Sequence, residues 1–214
     1  RWPAAAFSFV EVAGAGYLGR LVNWLRPGAK ERARDDLHGL PARYRPVCRP
    51  ALAGVDLEGR IGLARKVLQA MGLVRDFAPL VLLVGHGSQS ENNAHAAALD
   101  CGACCGQTGE VNARALARLL NEPDVQEGLL ARGMDLPEDV AFIAALHNTT
   151  TDEIEAYDLD LLDVPARARW GRLQTAFVEA GDRVRRERAP TLGLDPTQPP
   201  AMLADQLRRR ANDV

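Results

Sequence analysis

Three cysteines fall within five residues, Cys101, Cys104 and Cys105, and Cys101 stands fifteen residues after a histidine held between glycines, Gly85-His86-Gly87-Ser88. Imidazole nitrogen and thiolate sulfur are the donors that transition metals take, zinc foremost. A lone histidine on an apolar face is usually structural. His86 differs because it ends an apolar run and has cysteines downstream, which points to a metal or catalytic role. With Cys101 it would supply two ligands, at roughly 2.1 Å for nitrogen and 2.3 Å for sulfur. Cys101-Gly102-Ala103-Cys104 is a C-x-x-C, a spacing that suits either metal binding or redox chemistry. Cys104 and Cys105 are adjacent and poorly placed to enter one site together. The plainer reading for both is a small residue at a tight helix approach. His95 lies in a polar, Asn-rich stretch, and His147 closes a second apolar run as either a partner to the site or a structural cap. His38 and Cys48 sit in charged and proline-rich surroundings and read as solvated and inert.

The elements that must position these residues follow from pattern. Leu80–Val84 is a short apolar run of the kind buried on both faces of a parallel sheet. Ala141–Leu146 repeats the pattern: apolar run, histidine, polar loop. If both are parallel strands, His86 and His147 share the carboxyl edge, where α/β proteins keep their sites. Helices are expected over Leu57–Met71 (apolar face Ile61, Leu63, Ala64, Val67, Leu68, Met71), over Glu110–Asn121 (Val111, Ala115, Leu116, Leu119, Leu120), and from Pro123 to Gly133. Glu110 and Arg114 form a favourable i,i+4 pair. Thr150 and Glu153 have capping-box spacing, which predicts a helical turn there. Pro165 opens the longest helix, to about Arg188, with Trp170, Leu173, Phe177, Ala180 and Val184 as one apolar stripe. Phe7–Val12 reads as a further strand. The fold class is therefore α/β, a parallel-sheet core flanked by helices. It divides into residues 1–189, an α/β domain, and 190–214, a Pro-rich then Arg-rich helical tail.

Composition narrows the function classes. The chain has 214 residues, 47% hydrophobic, with a formal net charge of −2, so no basic field points to nucleic acid. Four cysteines, three of them within five residues, are not a secreted disulfide framework and fit a reducing compartment. No segment reaches the ~20 apolar residues of a spanning helix.

The strings GHGSQSENNAHAAALDCGACCGQTGEVNARALARLLN and LHNTTTDEIEAYD resemble the DabA family, over roughly Ala4 to Pro190. That family is the zinc-binding, β-carbonic-anhydrase-like subunit of a bacterial inorganic-carbon accumulation complex. The resemblance implies a β-carbonic-anhydrase-like fold and a place in the C-terminal portion of a longer protein. It implies Zn2+ held by two cysteines, a histidine and an aspartate, of which His86 and Cys101 match this chain. The other two belong to a C-x-D-x-R strand motif that these 214 residues lack. It further implies zinc-hydroxide hydration of CO2 to bicarbonate, with carbonic-anhydrase-like activity expected only in the full-length complex. The implied partner is an integral membrane proton- or cation-translocating subunit, DabB-type, at the cytoplasmic face of the bacterial inner membrane, where this subunit would be peripheral. One departure stands out: β-carbonic anhydrases separate the histidine from the second cysteine by two residues, and here fourteen intervene.

Two other readings fit part of the pattern. A strand followed by Gly-His-Gly-Ser is similar to the tetrapyrrole metal chelatases, which are α/β enzymes without the cysteine cluster. A non-enzymatic structural zinc module could use His86, Cys101, Cys104 and His95. Ligand identity separates the three.

Overall fold

The computed structural model describes residues 49–89, 95–104 and 106–213. The expected strand at Phe7–Val12, together with His38, Cys48 and Cys105, lies outside the described residues.

Helix α1 spans Leu57–Ala70. Its N-cap, Asp56, accepts a hydrogen bond from the Gly59 amide at 2.8 Å. Gly72, at φ +73°, takes the left-handed conformation that stops the chain from continuing as helix. Only Ile61, Ala64 and Leu68 of its expected face are buried, while Leu63 and Met71 are exposed. Strand β1 (Leu80–Gly87) follows, then a one-turn helix α2 (Ala96–Leu99), α3 (Glu110–Leu120) and α4 (Pro123–Ala131). Helix α3 is turned from its expected phase. Ala113, Ala117, Leu119 and Leu120 are buried and Val111 is exposed. The small alanines let the helix axis approach the sheet closely, so they face it in place of the larger residues.

Strand β2 (Ala141–Asn148) runs parallel to β1, in register from Leu80 opposite Ala141 to His86 opposite His147. The two histidines therefore do share one edge, as the repeated pattern requires. The sheet is not wholly parallel, however. Strand β3 (Glu153–Ala156) returns antiparallel to β2, where a helical turn was expected. The reason is local. The Asn148 side chain accepts from the Thr150 and Thr151 amides at 3.0 and 3.3 Å, and Asp152 adopts φ +56°, which reverses the chain into a hairpin. Glu153 accepts from the Thr151 hydroxyl at 3.1 Å and is not part of a capping box with Thr150.

Among the described residues the sheet order is β1-β2-β3. The exposures along β1 correct the expectation that Leu80–Val84 is buried on both faces. Leu83 is buried, its three predecessors are half-buried, and Val84 is 47% exposed. One face of the sheet packs on α1, α3 and α4 through Leu68, Leu120, Leu129 and Phe142. Phe77 meets Phe142 edge-on, centroids 6.3 Å apart. Where β2 runs past the end of β3, the Asn121 side chain acts as a substitute strand, donating to the Phe142 carbonyl and accepting from its amide.

The alternate residues Ile143 and Ala145 are buried from the other side. Helix α5 (Val164–Arg188) contacts β1 and β3 there, and α6 (Pro200–Asp213) packs on α5. Asp163 caps α5 by accepting from the Ala166 amide at 2.7 Å. Of the expected stripe only Trp170 is buried; Leu173, Ala180 and Val184 are exposed. The buried line runs instead through Ala166, Trp170, Gly181 and Arg185. Gly181 permits this, because a Cβ there would lie 2.6 Å from the Asp152 carbonyl oxygen. Arg185 then reaches the Thr151 carbonyl at 2.7 Å. Residues 200–210 carry Leu203, Ala204 and Leu207 into the core, and Arg208 donates to Glu153 at 2.7 Å.

The expected Glu110–Arg114 pair is present, at 2.8 Å, inside a larger network. Arg114 grips Asp158 with two hydrogen bonds, 2.8 and 2.9 Å, and lies 5.4 Å from the Tyr157 ring centroid. Burial pushes the Asp158 carboxyl up, but the bonds and charge of Arg114, with Arg49, outweigh it and hold the group below the ordinary carboxylate range. A carboxyl depressed in the folded state stabilises the fold above its unfolded pKa of about 3.9 and loses that contribution as pH falls through the folded value. Asp158→Asn is thus expected to destabilise the protein near neutral pH and to cost less in strong acid. Denaturant titrations of both proteins at pH 7 and below the carboxylate range would check this. An equal cost at both pH values would count against it.

Candidate metal centre

His86 stands at the carboxyl end of β1 with an exposed side chain. The glycines around it serve close approach and do not need an unusual backbone. A Cβ on Gly85 would sit 2.5 Å from the Gly109 carbonyl oxygen, and one on Gly87 would sit 2.8 Å from Thr108 Cγ2. The Gly109 amide donates to the His86 carbonyl at 2.8 Å. The segment before α3 therefore lies directly against the His86 end of the strand.

Cys101 stands at the other end of that segment. It is 8% exposed, and its amide donates to the Gln107 carbonyl at 3.0 Å, folding residues 101–107 into a closed loop. Asp100, itself 9% exposed, accepts from both the amide and the hydroxyl of Ser88, at 2.7 and 3.0 Å. The Cys101 loop is thus fastened to the His86 loop twice, through Asp100–Ser88 and through Gly109–His86. A hydrogen bond from the Cys104 thiol lowers the Cys101 thiol from its ordinary range. Burial works against that, the Cys104 and Ala103 amides reinforce it, and the Asp100 charge opposes it. Thiolate is the metal-binding form.

The remaining candidates are placed as follows. Cys104 is half-buried and accepts from Asn112 Nδ2 at 3.2 Å. His95 is exposed, and its carbonyl accepts from the Ala98 amide at the start of α2. His147 lies beside His86 in register, with Nε2 3.5 Å from Asp152 Oδ1. Asp152 is 9% exposed and also pairs with Arg188. Among the described residues, no three His, Cys, Asp or Glu side chains are grouped so as to hold a metal ion.

Sequence reasoning did not single out Asp100, Ser88, Gln89 or the Asn148–Thr150 run. These residues join the two post-strand loops. Thr149 donates its amide and hydroxyl to the Gly87 carbonyl, at 2.8 and 3.0 Å. Gln89 donates its amide to the Thr150 hydroxyl at 3.0 Å, and its side chain accepts from Asn148 at 3.3 Å. The available signal was two polar runs, Ser88-Gln89 and Asn148-Thr149-Thr150, beginning two residues and one residue beyond a histidine that ends an apolar strand.

The profile of the family described as "Probable inorganic carbon transporter subunit DabA" matches residues 1–214. The chain belongs to the DabA family. Curated relatives of the same description include one from Methylovorus glucosotrophus, 66% identical over 213 residues, which takes in 100% of this chain and 25% of the relative. One from Paracidovorax citrulli is 67% identical over 213 residues, 100% of this chain and 26% of the relative. The DabA2 subunit of Halothiobacillus neapolitanus is 44% identical over 194 residues, 88% of this chain and 23% of its own length. The chain thus spans about a quarter of the length of these DabA relatives. No solved structure matches it. Among the described residues, no helix is long and apolar enough to cross a membrane.

Proposed function

We propose that this chain is the part of an inorganic-carbon transporter subunit that supplies two of the four ligands of a zinc site, His86 and Cys101. The observation that carries the proposal is the double fastening of the Cys101 loop to the His86 end of β1. Zinc favours nitrogen and sulfur donors, and the lowered Cys101 thiol suits that chemistry. The donor set in the described residues is incomplete, which fits a site whose other cysteine and aspartate come from a C-x-D-x-R motif outside these 214 residues. When bound, zinc would supply the Lewis acidity that brings a water's pKa to about 7 and makes it nucleophilic toward CO2. The chain's own residues do the positioning. Asp100 and Ser88 fix Cys101, the Gly109 amide fixes the backbone at His86, and the Asn148–Thr150 run braces Gly87 and Gln89. The relatives' description as inorganic carbon transporter subunits supports a complex with other subunits; the partner in this reading is an integral membrane protein that translocates protons or cations, with CO2 and bicarbonate as substrate and product.

Two ligands are fewer than the three of a catalytic zinc site or the four of a structural one. Zinc titration of the 214-residue chain is therefore expected to show weak binding that a mild chelator reverses, with no CO2 hydration. The longer polypeptide that includes the C-x-D-x-R motif is expected to retain one equivalent. Tight, stoichiometric binding by the short chain would mean that Cys104, Cys105 or His95 completes the site, and a structural zinc module would replace the present reading.

A further inference from the structure

Cys104 has no part in the ligand set above, yet its backbone is bonded directly to Cys101. Gly102–Cys104 forms a single 3-10 turn, closed by the Cys104 amide donating to the Cys101 carbonyl at 3.0 Å. Such a turn keeps the Cα atoms of residues three apart within about 7 Å, and a disulfide spans about 4.4–6.8 Å between Cα atoms. The turn therefore sets the two cysteines at a backbone separation that a disulfide can span. Both cysteines are reduced in the structure. They differ in access. Cys101 is buried, while Cys104 is half-buried and its sulfur accepts from Asn112 Nδ2. A reagent from solvent meets Cys104 first, with Cys101 behind it as the second thiol.

We propose that Cys101 and Cys104 form a dithiol modification site, converted to an intramolecular disulfide by a two-electron oxidant of the hydroperoxide class. The Cys104 sulfur attacks the terminal peroxide oxygen, the O–O bond breaks, and an alcohol leaves (water, for hydrogen peroxide), so Cys104 becomes a sulfenic acid. The Cys101 sulfur then attacks the Cys104 sulfur, the S–S bond forms, and the sulfenic oxygen departs as water with the remaining thiol proton. Two thiols are oxidised and one peroxide is reduced. The metal consequence rests on the proposed ligand role of Cys101: once in the disulfide, it has no thiolate to offer.

The test is hydrogen peroxide treatment of the purified protein, alkylation of the remaining thiols, and trypsin digestion. Cys101, Cys104 and Cys105 all fall on the tryptic peptide Asp76–Arg114. That peptide is expected to lose two hydrogens and to carry the alkyl group on Cys105 alone. Cys104→Ser is expected to abolish the linked form, while Cys105→Ser leaves it in place. A Cys104–Cys105 or Cys101–Cys105 link, or no link at peroxide levels that oxidise exposed thiols, would overturn the proposal. Zinc content of the full-length protein is read in parallel. Zinc loss on oxidation in the wild type, absent in Cys104→Ser, supports both the disulfide and the ligand role. Disulfide formation with zinc retained would uphold the modification site and sink the ligand assignment.

Discussion

Alanine in place of His86 or Cys101 in the full-length protein is expected to abolish stoichiometric zinc binding and, with it, inorganic-carbon uptake. Changes to residues that merely orient metal ligands already cost roughly 10–100-fold in affinity, so removal of a ligand is expected to exceed that. The two residues sit on separate segments, one ending β1 and one opening the 101–107 loop, so neither can replace the other. Alanine at Cys104 or Cys105 is expected to leave zinc content near wild type under reducing conditions, with any loss arising through packing. Elemental analysis of the purified variants decides the matter. Wild-type zinc in Cys101→Ala would remove the assignment outright. Zinc lost equally from all three cysteine variants would point to a site built within the cluster.

Much of the frame was readable because continuous apolar runs mark its two parallel strands. Leu80–Val84 and Ala141–Leu146 are apolar runs, and they are the parallel pair that aligns His86 with His147. The errors have identifiable causes. Strand β3 was hidden because Thr150 and Glu153 mimic a capping box, while the deciding interactions come from the Asn148 side chain and from Asp152 at positive φ. The α5 stripe failed because a period of three and four describes which residues could be buried together, not which face the sheet covers. Gly181 and Arg185 chose that face, and a buried arginine bonded to the Thr151 carbonyl carries no hydrophobic signal. At the site, His86 and Cys101 were legible by donor type. Asp100 was not, because its role depends on Ser88, twelve positions earlier, folding back to meet it.

Gly85→Ala is expected to be the most damaging change that removes no candidate ligand. The added Cβ would lie 2.5 Å from the Gly109 carbonyl oxygen and 2.6 Å from its carbonyl carbon. Both are backbone atoms, so no rotamer change relieves the contact. One of the two segments must move. Gly109 precedes the first turn of α3, which packs on β1 and β2, and its amide holds the His86 carbonyl. Displacement would therefore break that hydrogen bond and draw the Cys101 loop away from His86. Overpacking of this kind costs about 1–3 kcal/mol, and the loss of zinc affinity is expected to exceed what that destabilisation explains. Gly62→Ala is the control. It lies in α1 with nothing within 4 Å of its Cβ position, so alanine there is expected to stabilise the helix by roughly 0.5–1 kcal/mol. Thermal unfolding and zinc content measured together separate the effects. A Gly85→Ala protein with wild-type melting temperature and zinc content would show that the Gly85–Gly109 contact does not hold the two loops in place.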